Sequence, residues 1–242
     1  MKRKNIHIFK NSQTLAAFFS DKLSALSHSM PGGEKASVAL SGGSTPRDIF
    51  HYISQHAVDS INWDNLQLFW GDERCVHPDN KESNYKMTLD NLLVHVPMSA
   101  CNIFRIYGEN EPLAEAERYS TLVSDLLPIH KNNPVFDMVL LGLGEDGHTA
   151  SVFPPDINLF DSSELFAATQ NPYTGQERVT ATGRVINNAR SVFFLVTGSS
   201  KAEIVARLIK KQKGYKKFPA SKVNPESKNL YWLLDEQAAI LL

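Results

Sequence analysis

Cysteine is nearly missing from this chain: only Cys75 and Cys101 are present, at a spacing that fits neither a disulfide framework nor a metal or redox motif. Long apolar runs are missing too. No stretch of about 18 apolar residues is available to span a bilayer. Neither sign of charge is in excess, because 25 Lys and Arg face 26 Asp and Glu and leave a net charge of −1. Such a chain has no long-range bias toward nucleic acid or an anionic membrane, so neither is expected as a partner. An anionic small molecule would have to be held by a few local cations and backbone amides. Internal repeats, low-complexity tracts and a dividing linker are also lacking, and residues 1–242 read as one domain. The start, Met1-Lys2-Arg3-Lys4, looks like the basic region of a signal peptide. His7, Lys10, Asn11, Ser12 and Gln13 break the apolar segment that would have to follow. The expectation is a soluble, cytoplasmic protein.

What is there is ordinary globular material, 242 residues with 42% apolar and 21% charged. A chain of this size buries roughly 70% of its unfolded surface and needs no staples. Short apolar runs alternate with helical periodicity, the pattern of an α/β fold. Helices are predicted over residues 12–29, 46–56, 83–94 and 112–127, and strands over 36–40, 66–70, 102–106, 135–141, 191–197 and 230–234. Residues 135–141 are apolar apart from Asp137, which predicts a central parallel strand covered on both faces. The basic stretch 210–217, containing Gly214, reads as a solvated loop. A mostly parallel sheet with helices on both faces follows, and in such folds ligands sit beyond the carboxyl ends of the strands.

Four segments there are richer in glycine and polar residues than a turn requires. The first is Ser41-Gly42-Gly43-Ser44-Thr45-Pro46-Arg47-Asp48, with Thr45 placed as helix N-cap, Pro46 at the first helical position and Asp48 three residues past the cap. Alone it fits a phosphate cradle or a plain capped turn equally well. It has no Walker-type lysine, so no nucleoside triphosphate is implied. The second is Gly71-Asp72-Glu73-Arg74-Cys75, where Arg74 could grip a carboxylate, phosphate or oxyanion, or pair with its acidic neighbours. Cys75 as nucleophile lacks a visible base.

The third, Gly142-Leu143-Gly144-Glu145-Asp146-Gly147-His148-Thr149-Ala150-Ser151-Val152-Phe153-Pro154-Pro155, is the most informative. Formally it contains G-x-G-x-x-G, yet Glu145 and Asp146 would repel a pyrophosphate, and two prolines interrupt the helix that should follow. What remains is His148 at the end of a buried strand, with a carboxylate nearby to fix its tautomer: a candidate acid–base group. A metal at Asp146 and His148 lacks further ligands. The fourth comprises Arg178-Val179-Thr180 and Thr197-Gly198-Ser199-Ser200-Lys201, whose lysine is either an anion clamp or a solvated cation.

Taken in this order, these blocks resemble the 6-phosphogluconolactonase family, within the superfamily that also holds glucosamine-6-phosphate deaminases. The resemblance rests on residues 41–46, Asp72-Glu73-Arg74 with Ser83-Asn84, the Gly142-to-Pro154 block, Arg178-x-Thr180 and Gly198-x-x-Lys201. It implies a three-layer α/β/α sandwich of modified Rossmann type and no cofactor. It also implies that Gly42, Gly43, Ser44, Thr45, Arg178 and Lys201 bind the phosphate of a sugar lactone, that His148 activates water with Asp146 assisting, and that Asp72 and Arg74 line the sugar end. Deaminases typically have Tyr where this chain has Arg74, and continue toward Asn-Glu-Pro where this chain has Val152-Phe153-Pro154. The missing Glu is a missing acid–base partner for ring opening. A non-catalytic sugar-phosphate binder is the third reading, with no DNA-binding module attached.

Overall fold

In the computed structural model, which describes residues 5–242, strands and helices alternate through most of the chain, interrupted by the run of short strands from residue 129 to 181. The first half contains β1 (Ile6–Phe9), α1 (Ser12–His28), β2 (Ala36–Leu40), α2 (Ser44–His56), β3 (Leu66–Trp70), β4 (Asp72–Arg74) and α3 (Asn84–Asn91). Then come β5 (Ile103–Phe104), α4 (Pro112–Leu126), β6 (Ile129–His130), β7 (Asn133–Pro134) and β8 (Met138–Leu141). The chain closes with β9 (Phe166–Gln170), β10 (Glu177–Ala181), α5 (Gly183–Asn188), β11 (Val192–Val196), α6 (Ala202–Ile209), β12 (Leu230–Asp235) and α7 (Glu236–Ala239).

Seven strands form one parallel sheet in the order β1-β12-β11-β8-β2-β3-β5. Every residue of β2, β8 and β11 is buried, so helices cover both faces, as a parallel sheet requires. That is the three-layer α/β/α arrangement. Strand β8 sits in the middle of the order, as its apolar run predicted. It is shorter than residues 135–141 because Asp137 diverts the start: its carboxylate accepts from the Ser37 amide at 2.9 Å and the Ser37 hydroxyl at 3.0 Å. Residues 102–106 likewise shrink to the two-residue edge strand β5. The helix predicted over 83–94 ends at Asn91, where Leu92 leaves helical angles (φ −137°, ψ −62°).

The order of strands positions the site. From β2 the sheet grows through β3 to β5; from β8 it grows the other way, through β11 and β12. Between β2 and β8 the winding reverses, and the loops leaving them part to open a crevice. Over this end lies a second, antiparallel sheet, β4-β10-β9, against which α4 packs. Among the described residues no helix is long and apolar enough to cross a membrane. The basic start, residues 1–4, lies outside the described residues.

Candidate active site

A cavity of about 310 Å³ occupies the crevice. Nine of the residues singled out from sequence line it: Gly42, Gly43, Ser44, Thr45, Asp72, Arg74, His148, Arg178 and Lys201. The tenth, Asp146, is not on its wall but contacts His148, which is. These side chains come from the loops after β2, β8 and β11 and from the β4-β10 pair, up to 159 residues apart in the chain (42 to 201).

The glycine loop differs from its sequence reading. Gly43, at φ 105°, is the N-cap, and α2 begins at Ser44. Thr45 therefore lies inside the first turn, and no side chain caps the helix. Its hydroxyl is shared instead with the Thr197 hydroxyl at 2.8 Å, which ties the loop after β2 to the loop after β11. Asp48 does not reach back to the cap; it pairs with Arg47 on the surface. An uncapped helix start leaves its first amides free at the cavity wall, a ready anion site. The loop after β11 is held from below: Asp235 accepts the Gly198 amide at 3.0 and 3.1 Å, and the Ala238 amide at 2.7 Å. Lys201 ends a short 3-10 turn there, with only a long contact of 3.8 Å to the exposed Glu145.

After β8 the chain turns back on itself to form a dyad. His148 Nδ1 lies 2.6 Å from Asp146 Oδ1, which also accepts the His148 amide at 3.1 Å. Burial pushes the Asp146 carboxyl up, but the hydrogen bonds from His148 outweigh it and hold the group down at about 2. An ionised carboxylate can only accept, so Nδ1 carries a proton, and in the neutral imidazole the lone pair is on Nε2. Gly144 is needed for this approach. A Cβ there would lie 2.1 Å from His148 Nδ1 and 2.6 Å from Asp146 Oδ1. Phe153 packs on the imidazole, ring centroids 4.7 Å apart.

The opposite wall is cationic. Arg74 and Arg178 are register partners across β4 and β10, so the two guanidinium groups leave the same face. Arg178 is buried, its Nε has no hydrogen-bond partner, and among the described residues it makes no ion pair. Burial first, then the neighbouring Arg74 charge, depress its pKa. Arg74 donates through Nη1 to the Glu82 carbonyl at 2.5 Å, while its Nε is also unpartnered. A buried cation is normally paired, so buried Arg178 with a free donor, beside half-buried Arg74, describes a site shaped for an anion. Asp72 is buried beside them and accepts the Ser151 hydroxyl at 2.7 Å.

Glu73 has no part in the cavity. It points the other way from β4 and caps α3, accepting the Asn84 and Tyr85 amides at 2.7 and 2.8 Å and the Ser83 hydroxyl at 3.1 Å. Arg178 is the second residue of its strand, after Glu177, and that strand pairs with both β4 and β9. Burial pushes the Cys75 thiol up to about 11, far from a thiolate nucleophile. Among the described residues there is no group of three or more His, Cys, Asp or Glu that could hold a metal ion. Sequence reasoning left out Asn84, Phe153 and Asn171, which also line the cavity, and Tyr173, which touches Asp146. Asn84 and Phe153 stand within recognisable blocks; Asn171 and Tyr173 carry no local signal.

A family model described as glucosamine-6-phosphate isomerases/6-phosphogluconolactonase matches residues 10–232. The chain is 40% identical over 200 residues to a 6-phosphogluconolactonase of Treponema pallidum, an alignment covering 83% of this chain and 82% of the relative. A crystal structure of devB protein superposes with a TM-score of 0.91 at 39% identity, covering 98% of each chain. A monomeric glucosamine-6-phosphate deaminase superposes with a TM-score of 0.81 at 20% identity, covering 98% of this chain and all of that one (100%). The fold therefore houses both chemistries, and the site has to separate them.

Proposed function

We propose a function that proceeds from one premise: the chain belongs to the glucosamine-6-phosphate isomerase/6-phosphogluconolactonase family. Within it, this protein is a lactonase. It hydrolyses 6-phospho-D-glucono-1,5-lactone to 6-phospho-D-gluconate, a step of the oxidative pentose phosphate pathway, and works in the cytoplasm. The observation that carries the chemistry is His148, paired through Nδ1 with Asp146, on the wall of a cavity that also presents buried Arg178, which makes no ion pair among the described residues.

The substrate phosphate docks on the uncapped start of α2 at residues 43–45, with Lys201 and Arg178 as its cations. Docking the non-reacting end fixes the lactone carbonyl beside His148, and positioning of this kind supplies several kcal/mol of the barrier. His148 Nε2 takes a proton from water as the water oxygen attacks the carbonyl carbon. The tetrahedral oxyanion forms against the donors of Arg74. As the ring C–O bond breaks, the imidazolium returns its proton to the leaving ring oxygen. Asp146 keeps the imidazole in the right tautomer and supports its positive charge. Asp72, held by Ser151, receives sugar hydroxyls. This role set also argues against deamination: Asp72 is the only carboxylate among the cavity's lining residues, and Phe153 packs against the base where deaminases continue toward Asn-Glu-Pro.

The test presents 6-phosphoglucono-δ-lactone and glucosamine 6-phosphate separately, following acid release above spontaneous hydrolysis and ammonia release. Acid release is expected, reduced at least ~10²-fold in His148→Ala. Ammonia release would assign the deaminase reaction instead; acid release undiminished in the variant would remove His148 from the mechanism.

A further inference from the structure

We propose that Tyr173 is a positioning residue for the hydrolytic base, its hydroxyl locking the Asp146 carboxylate that orients His148. This rests on the reading of His148 as the base. Tyr173 sits at the tip of the turn joining β9 to β10, 69% exposed, so its ring adds little to the core. Yet its hydroxyl donates to Asp146 Oδ2 at 2.9 Å, 27 residues away in the chain. Asp146 Oδ1 is already engaged by His148 Nδ1 and by the His148 amide. The carboxylate is thus held from both ends. A carboxylate torsion has a broad, roughly two-fold profile. With only Oδ1 bonded it can swing out of the imidazole plane; a second bond on Oδ2 stops that motion.

The turn is built stiffly enough to act as a support. The Asn171 side-chain oxygen accepts the Tyr173 and Thr174 amides at 2.9 and 3.3 Å, an Asx turn. The Gly175 amide donates to the Asn171 carbonyl, and the Asn171 amide to the Gln176 carbonyl, both at 2.9 Å. Gln170 closes the tip through its side chain, donating to the Gly175 carbonyl at 2.8 Å. Phe153 fills the space between: its ring meets Tyr173 edge-on at 6.4 Å and packs on His148 at 4.7 Å. Tyr173, Phe153 and Asp146 thus form a connected set of contacts that ends on the imidazole. None of these contacts reaches the phosphate cations, so the effect belongs to turnover and not to substrate binding.

The experiment measures kcat and KM for lactone hydrolysis in Tyr173→Phe, made in wild type and in Asp146→Ala. The bond is to a charged acceptor but open to water, which replaces part of it, so kcat should fall about threefold with KM little changed. In the Asp146→Ala background the same substitution should do nothing, because the group it supports is gone. Equal losses in both backgrounds would mean that the hairpin acts independently of Asp146 and would overturn the proposal, as would wild-type kcat in Tyr173→Phe. His148→Ala, run alongside, separates the two ideas. An inactive His148→Ala with an unaffected Tyr173→Phe sinks only the positioning role. An active His148→Ala removes the base, and the positioning role with it.

Discussion

Replacing Asp146 by alanine separates the base from the charge that orients it, and the size of the loss can be worked from the contact itself. The Nδ1 to Oδ1 distance is 2.6 Å, short for a charge-assisted bond. As water attacks, the imidazole becomes an imidazolium, so the bond strengthens on the way to the transition state. A hydrogen bond to a charged group contributes about 1.5–3 kcal/mol, which converts to roughly 10- to 150-fold in rate. The pair is partly open to water, with side chains 33% and 22% exposed for His148 and Asp146, so solvent replaces some of the lost interaction. The expected fall in kcat therefore lies toward the lower end of that range. Because Asp146 is not on the cavity wall, KM should change by less than about threefold. On the proposed role Asp146 acts through His148, so the double variant with His148→Ala should be no slower than His148→Ala alone. Initial rates of acid release, corrected for spontaneous hydrolysis, give all three numbers. Wild-type kcat in Asp146→Ala, or losses that multiply in the double variant, would refute the dyad.

Three further outcomes test the electrostatics. Asp146 is held at about 2 against an ordinary 3.8; a carboxyl lowered on folding contributes stability that is present above the unfolded value and disappears as pH falls through the folded one. The stability difference between wild type and Asp146→Asn should thus shrink from about pH 5 toward pH 2 in denaturant titrations, and a difference constant over that window would contradict the assignment. Arg178→Met removes a buried, unpaired guanidinium, so the ligand-free variant should melt no lower than wild type, while inorganic phosphate should raise the Tm of wild type much more than that of the variant. Equal phosphate shifts would take Arg178 out of the anion site. Burial, then the Glu177 and Glu73 charges, push the Cys75 thiol up to about 11, so iodoacetamide at neutral pH should label the exposed Cys101 and spare Cys75. Mass spectrometry of tryptic peptides reads the two sites, and comparable labelling would show that Cys75 is open and ionised.

Strands β2 and β3 were legible to the residue, because a parallel strand covered on both faces must be nearly all apolar, and 36–40 and 66–70 are apolar apart from Ser37 and Gln67. Asp137 shows where that logic stops: its polar side chain shortens β8 by bonding to Ser37, 100 residues away. The three-residue strand β4 held a signal that went unread. Alternation sends Asp72 and Arg74 to one face and Glu73 to the other, so one charged triplet supplies both the cavity wall and the cap of α3. Thr45 was misplaced as a cap since local rules favour a hydroxyl there, whereas its actual partner is Thr197.

By itself, then, the sequence determined the alternation of strands and helices, the loops that gather at the carboxyl ends, and the Asp-x-His spacing that lets a side chain bond its neighbour two residues on. These are properties of local periodicity and short-range reach, and a chain carries them without folding. Only the tertiary structure decided that the winding reverses between β2 and β8, that Arg74 and Arg178 share a face, and that Tyr173 reaches Asp146. Each of these joins residues far apart in the chain. They depend on strand order and hairpin register, which the packing of the whole core sets, and no window of sequence contains them.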